Sequence, residues 1–128
     1  MGFLEMYQGD DERHDFIIRN PDTSLANLTG WTLWFTAYPA GVARAEGVDD
    51  ADALLLAHWV SGGAALNMSV ATPATGAVIL DLPAASTKLL TLQFYDYDLQ
   101  RRNAAGRLKT IDRGTIQVTL ETTRRSTV

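Results

Sequence analysis

Cysteine is absent from this 128-residue chain, so disulfides, thiolate zinc sites and a thiol nucleophile are excluded. Histidine occurs only as His14 and His58, neither with a His or acidic residue two or four positions further on to make a ligand pair. Basic side chains are outnumbered, 11 against 15, for a net charge of −4. That balance argues against nucleic acid as a partner, because neutralising phosphates needs a basic face. No apolar run reaches the roughly 18 residues of a membrane span. The best stretch, residues 51–60, is broken by Asp52 and His58, so no membrane partner is expected. A basic leader is missing ahead of the apolar start, so synthesis in a cytosol is the default, which leaves later export inside a particle open. The sequons at Asn27 and Asn67 carry no weight without a secretion route. Gly-x-Ser-x-Gly elbows and phosphate-cradling glycine loops are also missing; Ser61-Gly62-Gly63 reads as a turn.

What is present fits one globular domain spanning residues 1–128. Apolar residues make up 46% of the chain and charged residues 20%, enough to build a core without staples. Turn signals recur at short intervals, among them Gly9-Asp10-Asp11, Asn20-Pro21-Asp22, Gly62-Gly63, Pro73 to Gly76, Asn103 to Gly106 and Asp112-Arg113-Gly114. The segments between them are mostly too brief for helices, and several alternate. Leu33, Phe35 and Ala37 take one side against Thr32, Trp34, Thr36 and Tyr38. Val78, Leu80 and Leu82 oppose Ala77, Ile79 and Asp81, and Ile116, Val118 and Leu120 oppose Thr115, Gln117, Thr119 and Glu121. Period two marks strands with one face on a core.

The runs Phe16-Ile17-Ile18 and Leu54-Leu55-Leu56 read as central strands; the second sits in an Ala- and Asp-rich stretch whose composition also suits a helix, and a strand over 53–60 is favoured because Gly62-Gly63 then turns it into 65–70. Residues 83–90 hold the one short helical turn, opened by Pro83. In 91–100 the apolar phase flips between Phe94 and Tyr95, which implies a bulge or a loop-to-strand entry. A hairpin at Asn103 to Gly106 returns through 108–111, and a tight turn at Asp112–Gly114 starts a last strand over 115–122. The expectation is an all-β, antiparallel sandwich of about seven to nine short strands.

The candidate sites are few. Asp10, Asp11 and Glu12 lack the alternating oxygen ligands and central glycine of a calcium loop and read as a solvated acidic turn; Glu46, Asp49, Asp50 and Asp52 read the same way. Asp96 and Asp98 share one side of a strand, as acid/base work on a glycoside would require. Such work also needs a sugar-lined cleft, of which the sequence shows no sign, so solvent or loop backbone is the expected partner. No catalytic residue, metal ligand or cofactor is expected. Trp31, Trp34 and Trp59 with Tyr38, Tyr95 and Tyr97 make an aromatic set. An odd separation sends Trp31 and Trp34 to opposite sides: Trp31 goes with Leu33 and Phe35, while Trp34 goes outward with Thr36 and Tyr38. Three destinations stand open for the outward group: a protein interface, cover by a neighbouring loop, or a ligand. Trp34, Thr36 and Tyr38 are carried forward as the interface candidates, because aromatic side chains dominate buried interface centres.

The order of motifs resembles a known family. Tyr7-Gln8-Gly9-Asp10, Phe16-Ile17-Ile18 and Asn27-Leu28-Thr29-Gly30-Trp31-Thr32-Leu33-Trp34-Phe35-Thr36 resemble the opening of small Ig-like domains in tailed-phage tail and baseplate proteins. Tyr97-Asp98-Leu99-Gln100, the hairpin at Gly106, Thr110-Ile111-Asp112-Arg113-Gly114-Thr115-Ile116-Gln117-Val118 and Thr123-Arg124 match the closing part. The chain is similar to the N-terminal domain of the baseplate upper protein family, weakest over residues 39–90. The resemblance implies an Ig-like sandwich with a structural role and no catalysis. It implies a virion tail location after assembly in the bacterial cytoplasm, other tail or baseplate proteins as partners, and three- or sixfold homo-oligomers. Family members often continue into helical or receptor-binding parts, whereas this chain stops soon after its last strand. It is therefore expected to be an anchoring module without its fibre, or a small tail component. The alternative from the outward aromatics is a carbohydrate-binding module for host-surface glycans.

Overall fold

The structure is a computed structural model that describes residues 2–40, 54–91 and 93–119. Nine strands are present among them: β1 (Gly2–Tyr7), β2 (Glu12–Ile17), β3 (Thr32–Pro39), β4 (Leu54–Val60), β5 (Ala65–Leu66), β6 (Met68–Ser69), β7 (Ala77–Leu82), β8 (Phe94–Arg102) and β9 (Leu108–Thr119). A single helical turn, α1 (Ala84–Thr87), joins β7 to β8, and a 3-10 turn at Pro73–Thr75 precedes β7. No helix among the described residues is long and apolar enough to cross a membrane.

One sheet has the order β1-β9-β8-β3-β4-β5 and the other β2-β7-β6. With β2 as strand B, β9-β8-β3-β4-β5 against β2-β7-β6 is the G-F-C-C′-C″ against B-E-D arrangement of a variable-type immunoglobulin sandwich, with β1 added beside β9. The fold class is thus all-β, as expected from the alternation. Every strand pair is antiparallel but one: β1 runs parallel to β9, from Gly2 opposite Gly114 to Tyr7 opposite Thr119.

The alternating positions bury as read. Leu33, Phe35 and Ala37 of β3, Val78, Leu80 and Leu82 of β7, Tyr95, Tyr97 and Leu99 of β8, and Ile116 and Val118 of β9 are all in the core. Two bulges interrupt the ladders. Phe35 faces Ala57 and Thr36 faces Leu55, so Leu56 is the extra residue of β4, and both Leu56 and Ala57 turn inward. Leu99 faces Asp112 and Gln100 faces Thr110, so Ile111 is the extra residue of β9.

Aromatic rings occupy the centre, where antibody domains keep a disulfide against a tryptophan. Phe35 lies with its ring centroid 5.1 Å from that of Tyr97 and 6.3 Å from that of Phe16, so β2, β3 and β8 are pinned across the sandwich without sulfur. At the start of β8 the Tyr95 hydroxyl accepts the Thr91 N–H at 2.9 Å, tying the strand to the segment that enters it. The phase change at Phe94/Tyr95 is therefore a loop-to-strand entry.

Several expectations need correction. Residues 108–119 form one continuous strand, with no turn at Asp112–Gly114. Asp-Arg-Gly has turn chemistry locally. Here the Asp112 carboxylate accepts the Tyr97 hydroxyl, and Gly114 lies where the Gly2 backbone crosses too closely for any Cβ. β2 is the edge of its sheet, so Phe16-Ile17-Ile18 is not central: Phe16 packs on the core while Ile17 is exposed. The arm at 65–70 splits at Asn67, whose positive φ of 56° carries the chain from β5 in one sheet to β6 in the other. Its side-chain amide donates to the Leu56 carbonyl at 2.9 Å and to Ser86 Oγ at 3.1 Å. The apolar N-terminal stretch is itself a strand, β1, with Met6 fully buried.

Tyr97 also carries a pH effect. Its hydroxyl donates to Asp112 Oδ2 at 3.1 Å, and burial, followed by the neighbouring carboxylate, holds the phenol well above its ordinary value of 10.0. An unfolded tyrosine ionises near pH 10 while the folded one keeps its proton. This contribution to stability is complete below pH 10 and falls as pH rises further, by up to about 1.4 kcal/mol per unit. Urea unfolding at pH 9 and pH 11 should give a steeper loss for the native chain than for Tyr97→Phe; equal losses would refute the assignment.

Candidate interaction face

The outward side of the six-stranded sheet is built by register. Trp34 sits between Gln100 on β8 and His58 on β4, Thr36 between Asp98 and Leu55, and Tyr38 beside Asp96. The three candidate interface residues therefore form one row down β3, on the side opposite Leu33, Phe35 and Ala37. All three are half-buried. The Arg102 guanidinium carbon lies 5.6 Å from the Trp34 ring centroid, a cation–π contact that fixes the indole at one end of the row. Trp31 goes the other way: it packs against the core and holds Arg101 over its ring at 5.2 Å. Trp59 is buried, as are Tyr95 and Tyr97.

Sequence reasoning missed much of this face. Phe3 and Tyr7 on β1 are 58% and 55% exposed, Leu55 on β4 is 50% exposed, and Phe94 at the start of β8 is 44% exposed. Leu55 and Leu66 adjoin the Trp34–Tyr38 row on the β4–β5 side, whereas Phe3 and Tyr7 share the face at its β1 edge beyond the polar outward positions Asp96, Asp98, Thr115 and Gln117. The signal was there in β1, where Phe3, Glu5 and Tyr7 alternate with Leu4 and Met6. Without its partner strand β9, that stretch is too short to be assigned. Scattered apolar residues are ordinary on a surface, whereas a cluster of them rimmed by polar side chains, as around Trp34, Leu55 and Leu66, is a candidate interaction site.

The carboxylates have mixed fates. Asp96 and Asp98 lie on this flat outward face, half-buried, and not in a cleft. The acidic turn does structural work. Asp11 Oδ1 accepts the Ala84 N–H at 2.8 Å, and the Asp10 carbonyl accepts the hydroxyl of fully buried Thr87 at 2.7 Å. Thr87 Oγ1 in turn accepts the Gly9 N–H at 3.0 Å, so the turn between β1 and β2 is clamped onto α1. Glu12 Oε1 lies 3.8 Å from His14 Nε2 on the same strand. His14 and His58 stand on different sheets. Among the described residues no group of three His, Asp or Glu side chains is placed to hold a metal ion. Glu46, Asp49, Asp50 and Asp52 lie outside the described residues.

A separate feature is an open cleft of about 450 Å³ at the sandwich edge between β2 and the first half of β9. Phe16, Ile18, Leu99 and Ile111 line it, with Arg19 and Lys109 among its charged residues. Against known proteins, the chain matches no protein-family model and no curated sequence.

Proposed function

We propose that this domain is a structural interaction module of a bacteriophage tail or baseplate, joining neighbouring tail proteins or anchoring fibre and receptor-binding parts. The observation that carries the reading is the aromatic and aliphatic cluster on the outer face of the six-stranded sheet, where Leu55 and Leu66 flank the row of Trp34, Thr36 and Tyr38. A sandwich pinned by interior aromatics holds that face rigid, so a partner docks against preformed geometry and ordering costs little. The motif order set out above supplies the tail context.

Trp34→Ala with Tyr38→Ala tests the face. Both side chains are half-buried and outside the Phe35 cluster, so the domain stays folded by circular dichroism. Its incorporation into purified particles is expected to fall at least tenfold, since aromatic anchors at interface centres are commonly worth 2 kcal/mol or more. Normal incorporation of a folded double variant would remove this face from the assembly. A second reading rests on Asp96 and Asp98 lying beside the same aromatics, as in a flat glycan platform. A glycan array decides it: binding lost in the double variant favours the platform, and silence across the array dismisses it.

A further inference from the structure

The two sheets are not closed along one edge. β1 covers β9 only from Gly114 to Thr119, so residues 108–113 of β9 have β8 on one side and, among the described residues, no strand on the other. Across the gap, β2 pairs with β7 alone. The uncovered length of β9 is six residues, about 20 Å of extended chain. The cleft lies between these two edges, with a floor of Phe16, Ile18, Leu99 and Ile111. In other sandwiches of this arrangement a strand fills such a gap beside strand B.

We propose that this cleft is a strand-acceptor site, completed by an extended segment of a partner polypeptide. The incoming strand runs in line with β1 and adds to the free edge of β9 by main-chain hydrogen bonds. Its alternate side chains enter the cleft, so they are apolar where they meet Phe16, Leu99 and Ile111. Charge complementarity specifies the rest. Arg19 and Lys109 line the cleft, and no ion pair among the described residues joins either to a carboxylate. The Arg19 guanidinium donates instead to the Thr23 carbonyl at 2.9 Å. The lining holds one acid, Asp112, which accepts the Tyr97 hydroxyl, so Arg19 and Lys109 leave the cleft with an excess positive charge. The partner segment is therefore an acidic one, with glutamate or aspartate on its solvent-facing phase, where the exposed side chains of Arg19 and Lys109 stand at the rim of the cleft. The bulge at Ile111 fits the site, because an extra residue at a sheet edge re-aims a side chain into it.

The probe is the blocked heptapeptide TVEVTVE, followed by hydrogen exchange of the full chain. The amides of residues 108–113 are expected to slow at least tenfold while those of β3 stay unchanged. The control TVEPTPE lacks two main-chain donors and is expected to give no protection. The same heptapeptide fused ahead of Met1 raises its local concentration to about millimolar and reports even a weak site. Arg19→Glu with Lys109→Glu should reverse the preference from TVEVTVE to TVKVTVK by at least tenfold. Absence of protection from both the free and the fused strand, or equal protection by the proline control, would overturn the acceptor site. An unchanged charge preference would overturn the acidic partner. Trp34→Ala with Tyr38→Ala leaves this binding intact, so the outer face and the edge cleft fail or stand independently.

Discussion

Phe35→Ala should lower the unfolding free energy by about 3–5 kcal/mol, among the largest single losses available to this chain. Phe35 is fully buried in the middle of β3 and touches an aromatic neighbour in each direction, Phe16 at 6.3 Å and Tyr97 at 5.1 Å between centroids. Alanine removes the transfer energy of the ring and leaves a cavity that the surrounding ladders cannot close. Its neighbours sit on β2 and β8, whose positions are fixed by pairing with β7 and β9. With no disulfide to hold the sheets together, their packing rests on side-chain contacts such as this one. For a chain of this size the loss corresponds to a fall in Tm of about 10–20 °C, measurable by calorimetry. Phe35→Leu, which keeps most of the volume, should cost less than half as much. A Phe35→Ala fall below about 3 °C would show that the aromatic trio is not the pin described above.

The parts of this fold that could be read in advance are those whose burial is one-sided and local. β3, β7 and the end of β9 declare themselves because Leu33, Val78 or Ile116 begins a strict alternation that a helix cannot bury. The hairpins at Gly62-Gly63 and at Asn103 to Gly106 are equally local: Gly62 and Gly106 both adopt the positive φ their turns require. What could not be read depends on contacts between distant residues. β1 is a strand only because β9, more than a hundred positions later, lies beside it. Asp112-Arg113-Gly114 looks like a turn until Tyr97 and Gly2 are placed against it. Leu54-Leu55-Leu56 looks uniformly buried, yet the bulge sends Leu55 out and Leu56 in. The candidate face divides the same way. Trp34, Thr36 and Tyr38 follow from β3 alone, whereas Phe3, Tyr7 and Phe94 join them only through sheet order. The edge cleft has no local signal, since it depends on which strands lie beside β2 and β9.

That dependence makes Gly114 the second sensitive position. Gly114→Ala should release β1 from β9 at a cost of about 3 kcal/mol. A Cβ on Gly114 would overlap the Gly2 carbonyl oxygen and lie 2.6 Å from its carbon and 2.7 Å from the Gly2 nitrogen. These are backbone atoms, so no rotamer change relieves the contact, and the two strands must separate. Separation at the Gly2 end opens the main-chain bonds of a parallel pair and draws Met6 out of the core. Burial of that side chain alone is worth about 1.5–3 kcal/mol. Amides of β1 should therefore exchange rapidly in the variant while those of β3 and β8 keep their protection. Gly62→Ala and Gly106→Ala make the contrast, because both have positive φ but nothing within 4 Å of the added carbon. Each should cost only the backbone strain, about 1–2 kcal/mol, and leave β1 protected. If Gly114→Ala behaves like these two, the close crossing of Gly2 over Gly114 is not what seats the first strand. If it behaves as expected, the free edge of β9 lengthens from residues 108–113 to the whole strand.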